Sequence, residues 1–382
     1  MNFIDEYRQG QKGMNRGLTM GAGLANIDAA IGGVHKKRIY AIASPAKVGK
    51  TCFVDMAFML SPWLAMTEDQ NVEWIYYSFE IDRVSKEFDL ATFFLNHDYG
   101  VTSVTLDEGV VNIGGVETNI VPISPQYLKG MIRRTDGTVV TCKKRVEEAL
   151  MEVYKKRIIP LLGEWDSNGN MIKQGSVRFF TARMTPDMLK RHLLSYAEAN
   201  GHVYYADTKT MKVNGYVPND SGKHTIVIID HMRKLIQEQG LSLKQTVDKA
   251  SDIMVELRNF MEFTFVPIVH TNRSIADTDT IKSSKDMLYP GPESIKDTGN
   301  ISEDADYVIT MFNPNDDRYG LKKHFGLDIR DSADNLLYPN MRTLHLVESR
   351  HCVYPQHFRV NMFGNLKKFE QLKIIKTQTE NE

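Results

Sequence analysis

The chain has 382 residues, 42% of them hydrophobic and 25% charged, which suits one large α/β domain or two ordinary ones. Its 47 Lys and Arg nearly cancel its 48 Asp and Glu, so no global basic field marks it for nucleic acid, and any such contact must come from local loops. Cys52, Cys142 and Cys352 are odd in number and far apart, and no C-x-x-C or Cys/His cluster appears, so neither a disulfide framework nor a zinc site is supported. No signal-like or membrane-length apolar run is present, so the expected setting is the cytoplasm (a host's, if the chain is viral), with no membrane partner.

Residues 1–17 are short and polar, with Phe3, Ile4 and Tyr7 at the spacing of a brief amphipathic helix. From Arg38 onward strands and helices alternate. "RIYAIA" is strand-like and runs into "SPAKVGKT", residues 44–51; "TCFVDMAFML" then reads as a helix. "VEWIYYS" is a second apolar strand, followed by a helical pattern from Arg83 to Asn96. Residues about 98–175 read as an insertion ending in a charged helix, "KKRVEEALMEVYKKR". Residues about 201–222 read as a second insertion, a hairpin turning at Asn214-Gly215. "HTIVIID", the helix-like "VDKASDIMVELRNFMEF", and the strands "FVPIVH", "ADYVITMF" and "RTLHLVES" complete the series. Such alternation predicts an α/β fold, a mostly parallel central sheet flanked by helices, with the two insertions and a C-terminal β-hairpin. The expected domains are a linker segment at 1–17, one motor domain at 18–372 and a polar tail at 373–382.

The stretch at 44–51 ends as a phosphate-binding loop does, although Ser44 stands where the usual pattern has glycine. The backbone of Ser44, Pro45, Ala46, Lys47 and Val48 would face the phosphates, and Gly49 lets it come close. Lys50 should reach the β- and γ-phosphates of ATP or another nucleoside triphosphate, and the Thr51 hydroxyl should bind Mg²⁺. Asp230, ending a strand of apolar residues, is the expected second magnesium group. Glu80, just past the second strand, is placed to polarise an attacking water.

The segment "SIKDTGNISEDADYVITMF", residues 294–312, resembles the DnaB-type replicative helicase pattern R-E-S-G-x-I-E-x-D-A-D. Other stretches follow in the same order: "GLTMGAGLANIDAAIGGV" before the loop, "YYSFE", "VPIVHTNRS", and "LHLVESRHCVYPQHFRV" near the end. The resemblance covers about residues 18–96 and 224–372, the RecA-like motor domain. It implies a bacteriophage-type member without the helical N-terminal domain. His270 stands where the family has glutamine, as in phage-type and mitochondrial relatives. Lys296 and Asp297 replace its Arg-Glu, and Glu348-Ser349-Arg350 replaces its Lys-Gln-Arg, so one lysine has become an acid.

The resemblance implies an NTP-driven single-strand DNA translocase, a replicative helicase working as a homo-hexamer with 5′–3′ polarity. In it Lys50, Thr51, Asp230, Glu80 and His270 act within one subunit, and Arg350 reaches the neighbour's γ-phosphate. Lys296, Asp297 and Gly299, with Arg273, Lys282 and Lys285 on the preceding loop, would contact DNA. Residues 1–17 would be the linker that docks on the next subunit, and a separate primase and loader are implied partners. Two rivals share the loop and its carboxylates: a RecA/RadA-like recombinase or filament ATPase, and a non-motor ATP-binding switch or scaffold.

Overall fold

The computed structural model describes residues 4, 7, 8, 11, 16–272, 275, 281, 284, 286–295 and 300–373. Phe3 and the expected DNA-contacting residues Arg273, Lys282, Lys285, Lys296, Asp297 and Gly299 lie outside the described residues. Ile4 and Tyr7 are helical and exposed.

After a short helix α1 (Ala25–Ile31), the chain enters a nine-stranded sheet at β1 (Tyr40–Ser44). Helix α2 (Lys50–Val54) follows and runs on through a π-helical stretch, Asp55–Leu60, into Ser61–Ala65. Next come β2 (Val72–Ser78), α3 (Arg83–Tyr99), and then α4 (Lys144–Val153) within the first insertion. The chain rejoins the sheet at β3 (Val177–Phe180), then forms α5 (Pro186–Ala199), β4 (His224–Asp230), α6 (Leu243–Met261) and β5 (Thr264–His270). The sheet finishes with β6 (Tyr307–Phe312), β7 (Met341–Ser349), β8 (Gln356–Phe363) and β9 (Lys368–Gln371).

The strand order is β9-β8-β7-β6-β1-β5-β4-β2-β3. From β6 to β3 every pairing is parallel; β7, β8 and β9 add antiparallel strands at one edge. The central parallel strands are mostly apolar because both faces are covered, with polar residues such as Glu73 and His224 at their starts. Tyr40 and Ile42 of β1 pack on one side with Phe53 and Phe58; Ala41 and Ala43 pack on the other with Leu257 and Met254 of α6. Helix α6 starts with a capping box, Ser242 and Gln245 exchanging side-chain and backbone hydrogen bonds.

The insertion at about 98–175 carries three small two-stranded antiparallel sheets and α4, which buries Val146, Ala149 and Val153. The second insertion is a hairpin, but its turn lies elsewhere. Gly201–Asp207 pairs with Lys212–Pro218, so residues 208–211 make the turn and Asn214-Gly215 sit inside the second strand. Register shifts between Tyr204 and Asp207 absorb the extra residues. The edge strand β3 and helix α5 were not foreseen. Among the described residues, no helix is long and apolar enough to cross a membrane.

Beside β7 and β8, three histidines stack among aromatic rings. His345 and His357 share a 2.7 Å hydrogen bond, Tyr289 stacks on His345, and buried His324 hydrogen-bonds the Leu288 carbonyl at 2.8 Å. Burial pushes His324 down from 6.5 to about 4. The fold therefore favours the neutral ring. Stability should be full above about pH 6.5 and fall towards pH 4, by about 3 kcal/mol from this residue alone. His345 and His357 in the same stack are lowered by burial too and act in the same direction, so the His324 share is read as the difference between wild type and His324→Gln. Urea midpoints of the two proteins that fall in parallel from pH 6.5 to 5 would show that this ring takes up a proton without penalty.

Candidate nucleotide site

The C-terminal ends of β1, β4, β5 and β2 form one edge of the parallel sheet, where ligands gather in open α/β folds. β1 ends at Ser44, which is fully buried, and its hydroxyl donates to the Pro45 carbonyl at 2.7 Å. The Ser44 carbonyl accepts from Thr271 N–H, just beyond β5, at 3.1 Å. A glycine is unnecessary at this turn because the left-handed positions fall later, at Lys47 (φ 63°) and Gly49 (φ 113°). The backbone conformation is what requires Gly49; a Cβ there would sit 2.5 Å from the sulfur of Met362 on β8, a flexible side-chain end that can shift.

Lys50 opens α2 and is buried. Its ammonium donates to His270 Nδ1 at 2.9 Å and approaches the Pro45 carbonyl at 3.4 Å. Among the described residues no carboxylate is in ion-pair range of it, so the loop holds a buried cation that a phosphate would satisfy. Burial lowers its pKa to about 8, against the opposing pull of Asp230 and Glu80. The Thr51 hydroxyl donates to Asp230 Oδ2 at 3.1 Å. Burial raises the Asp230 carboxyl above its ordinary range, with nearby Lys86 acting against it. A hydroxyl and a carboxylate side by side are the oxygen donors that Mg²⁺ prefers.

Glu80 follows the end of β2, which is tied down by Phe79 N–H donating to the Asp230 carbonyl at 2.7 Å. It is exposed, 3.5 Å from the Lys234 ammonium, and its charge acts on both Lys50 and Asp230. His270 closes the group from β5. Two residues escaped the sequence reading. His231 is buried with its ring 4.1 Å from that of His270, and its Nε2 has no hydrogen-bond partner among the described residues. Arg342, at the start of β7, donates to the Val48 carbonyl of the loop at 3.3 Å and to Asn313 Oδ1 at 3.0 Å. His231 was visible as the neighbour of Asp230. Arg342 had no local signal, because only strand register carries it to the loop.

Arg350 is elsewhere. Tyr40 of β1 pairs with Tyr307 of β6, and Tyr307 with Ser349 of β7. Arg350 thus lies where β1 enters the sheet, and the loop begins where β1 leaves it. At about 3.3 Å per residue, β1 alone separates them by roughly 13 Å. Its guanidinium donates to the Glu303 carbonyl, and its N–H to the Asp306 carbonyl at 3.0 Å.

A glycine-lysine-threonine loop between a buried strand and a helix, a carboxylate on a parallel strand two places away, and helices on both faces define a RecA-like P-loop nucleoside-triphosphatase fold. Known structures agree. The ATPase domain of the protein G-40-P superposes over 97% of this chain and 97% of its own, with a TM-score of 0.60 and 14% identity. A DnaB-like replicative helicase, described with its interactions with primase, covers 97% of this chain and 67% of its own, with a TM-score of 0.59 and 12% identity. No protein-family model and no curated protein sequence matches the chain.

Proposed function

We propose that the chain is the motor of a DnaB-type helicase: it hydrolyses ATP or another nucleoside triphosphate and moves along single-stranded DNA as a hexameric ring. The observation that supports this most is the separation of Arg350 from its own Lys50, Thr51 and Asp230. An arginine at the far end of the sheet can serve hydrolysis only across a subunit boundary.

In this reading Lys50 leaves His270 for the incoming phosphates, and the freed His270 ring reports on the γ-phosphate. Thr51 and Asp230 would hold Mg²⁺, which supplies charge neutralisation on the phosphates when bound. Glu80 orients the attacking water and accepts its proton. Arg350 of the adjacent subunit spreads the charge that develops. Lys296, Asp297 and Gly299, with Arg273, Lys282 and Lys285, remain the proposed channel contacts to the DNA backbone, and a separate primase and loader the proposed partners.

The test is hydrolysis with and without single-stranded DNA. The wild-type rate should rise with DNA. Glu80→Gln should keep nucleotide affinity and lose about 10²-fold or more in rate, because the amide cannot take a proton. A normal rate in that variant would remove Glu80 from the mechanism. Electron microscopy with DNA and a non-hydrolysed analogue separates closed rings from the open filaments of a recombinase.

A further inference from the structure

The first insertion carries charge that the nucleotide site does not use. Over 98–175 ten Lys and Arg balance ten Asp and Glu, but the cations cluster: residues 129–157 hold nine of the ten against four acids. Part of this charge lines a furrow on the surface. Arg134, Lys143, Lys144 and Arg145 border a hollow of about 500 Å³. Lys143 and Arg145 also border a second hollow of about 380 Å³, whose rim includes Tyr99. The shared residues make the two hollows neighbours. Tyr99 is 41% exposed, which leaves an aromatic side chain in reach of solvent at the furrow.

Two acids, Asp107 and Glu108, line the first hollow as well. Asp107 is engaged by Lys143 at 2.9 Å. Lys144 meets Glu148 only at 4.0 Å, with both side chains largely in solvent. Arg134 spends its donors on the Glu108 and Val139 carbonyls and the Thr138 hydroxyl. Cations therefore exceed anions along the furrow. Like charges lining one furrow repel one another, and a chain of phosphates relieves that repulsion.

We propose that this furrow is a second binding surface for single-stranded nucleic acid, separate from the nucleotide site. Lys143, Lys144 and Arg145 follow the phosphates, and Tyr99 stacks on a base. The combination of clustered cations with an exposed aromatic ring fits an unpaired strand, whose bases are free to stack, better than an anionic membrane or an acidic protein. The proposal adds a contact to the motor reading but does not need it: a furrow can hold DNA whether or not DNA drives hydrolysis.

The experiment uses the full chain and a fluorescent single-stranded oligonucleotide, titrated by anisotropy at several salt concentrations. The variant is Lys144→Glu/Arg145→Glu. Both side chains are exposed, and acids in the first turn of α4 favour the helix, so misfolding is not the expected source of any loss. Affinity should fall about tenfold or more at low salt, and the slope of log K against log salt should shrink by about 1.4, two phosphate contacts at about 0.7 each. Hydrolysis without DNA should be unchanged. Tyr99→Ala should weaken binding while leaving the slope as it was. Equal affinity and slope in the charge variant would overturn the proposal, as would a wild-type chain that binds phosphatidylserine vesicles and not the oligonucleotide. If DNA fails to stimulate wild-type hydrolysis while the charge variant still binds more weakly, the motor reading fails and the furrow stands.

Discussion

Arg350→Ala should lower DNA-stimulated hydrolysis by about 10³-fold or more, the scale of a missing arginine finger. Nucleotide affinity should change far less, because the residue lies at the opposite end of the sheet from the phosphate loop. A purely structural role would also reduce activity, since the guanidinium now braces the Glu303 carbonyl. Mixing separates the two explanations. Lys50→Ala subunits lack the loop lysine but keep Arg350, and Arg350→Ala subunits have the reverse. In mixed oligomers some interfaces unite an intact loop with an intact arginine. Activity should reappear there, although each variant alone is inactive. Well-mixed oligomers with no recovery would place Arg350 in a cis or structural role.

The sequence made the parallel core legible because buried strands on a doubly covered sheet are written as apolar runs. "YAIAS", "HTIVIID" and "TFVPIVH" could hardly be anything else, and each ends where a site residue is needed: Ser44, Asp230, His270. Spacing within one segment also fixed Lys50 and Thr51. What stayed hidden depends on pairing between distant segments. Asn214-Gly215 has the composition of a hairpin turn, but packing of the strand against α6 moved the turn to 208–211. There Val213 is buried and its N–H donates to Glu256 at 2.9 Å, which holds Asn214 and Gly215 within the strand. The four residues Val177–Phe180 are too short to announce a strand until β2 offers them an edge. Arg342 reads as an ordinary strand residue, and no local pattern could bring it to Val48, 294 positions away.

Asp55 was equally hidden, as an acid within the apolar "TCFVDMAFML", and its removal should be among the most damaging single changes in the chain. It lies four residues beyond Thr51 in the continuation of α2 and is fully buried. Lys86 of α3 donates to its two oxygens at 2.6 and 2.7 Å, Lys367 before β9 at 2.6 Å, and the Tyr76 hydroxyl of β2 at 3.1 Å. Lys367 also pairs with Asp89 at 2.7 Å. Burial alone would raise the Asp55 carboxyl, but the two ammonium groups outweigh it and hold it below its ordinary range. Asp55→Ala would leave Lys86 buried with no carboxylate in contact, and Lys367 with Asp89 alone. Stranding a buried charge in this way costs about 3–5 kcal/mol, a large fraction of a typical domain's stability. The sign can be checked without trusting the size. Adding Lys86→Met to Asp55→Ala removes the stranded ammonium, so the double variant should be more stable than Asp55→Ala in a urea titration. If the two losses simply add, the pair is not an electrostatic unit. The same bonds join the helix of the phosphate loop to α3 and to the turn before β9. A weakened network should therefore loosen Lys50 and Thr51, and Asp55→Ala protein that still folds at low temperature should bind nucleotide less tightly, with the double variant recovering part of that affinity.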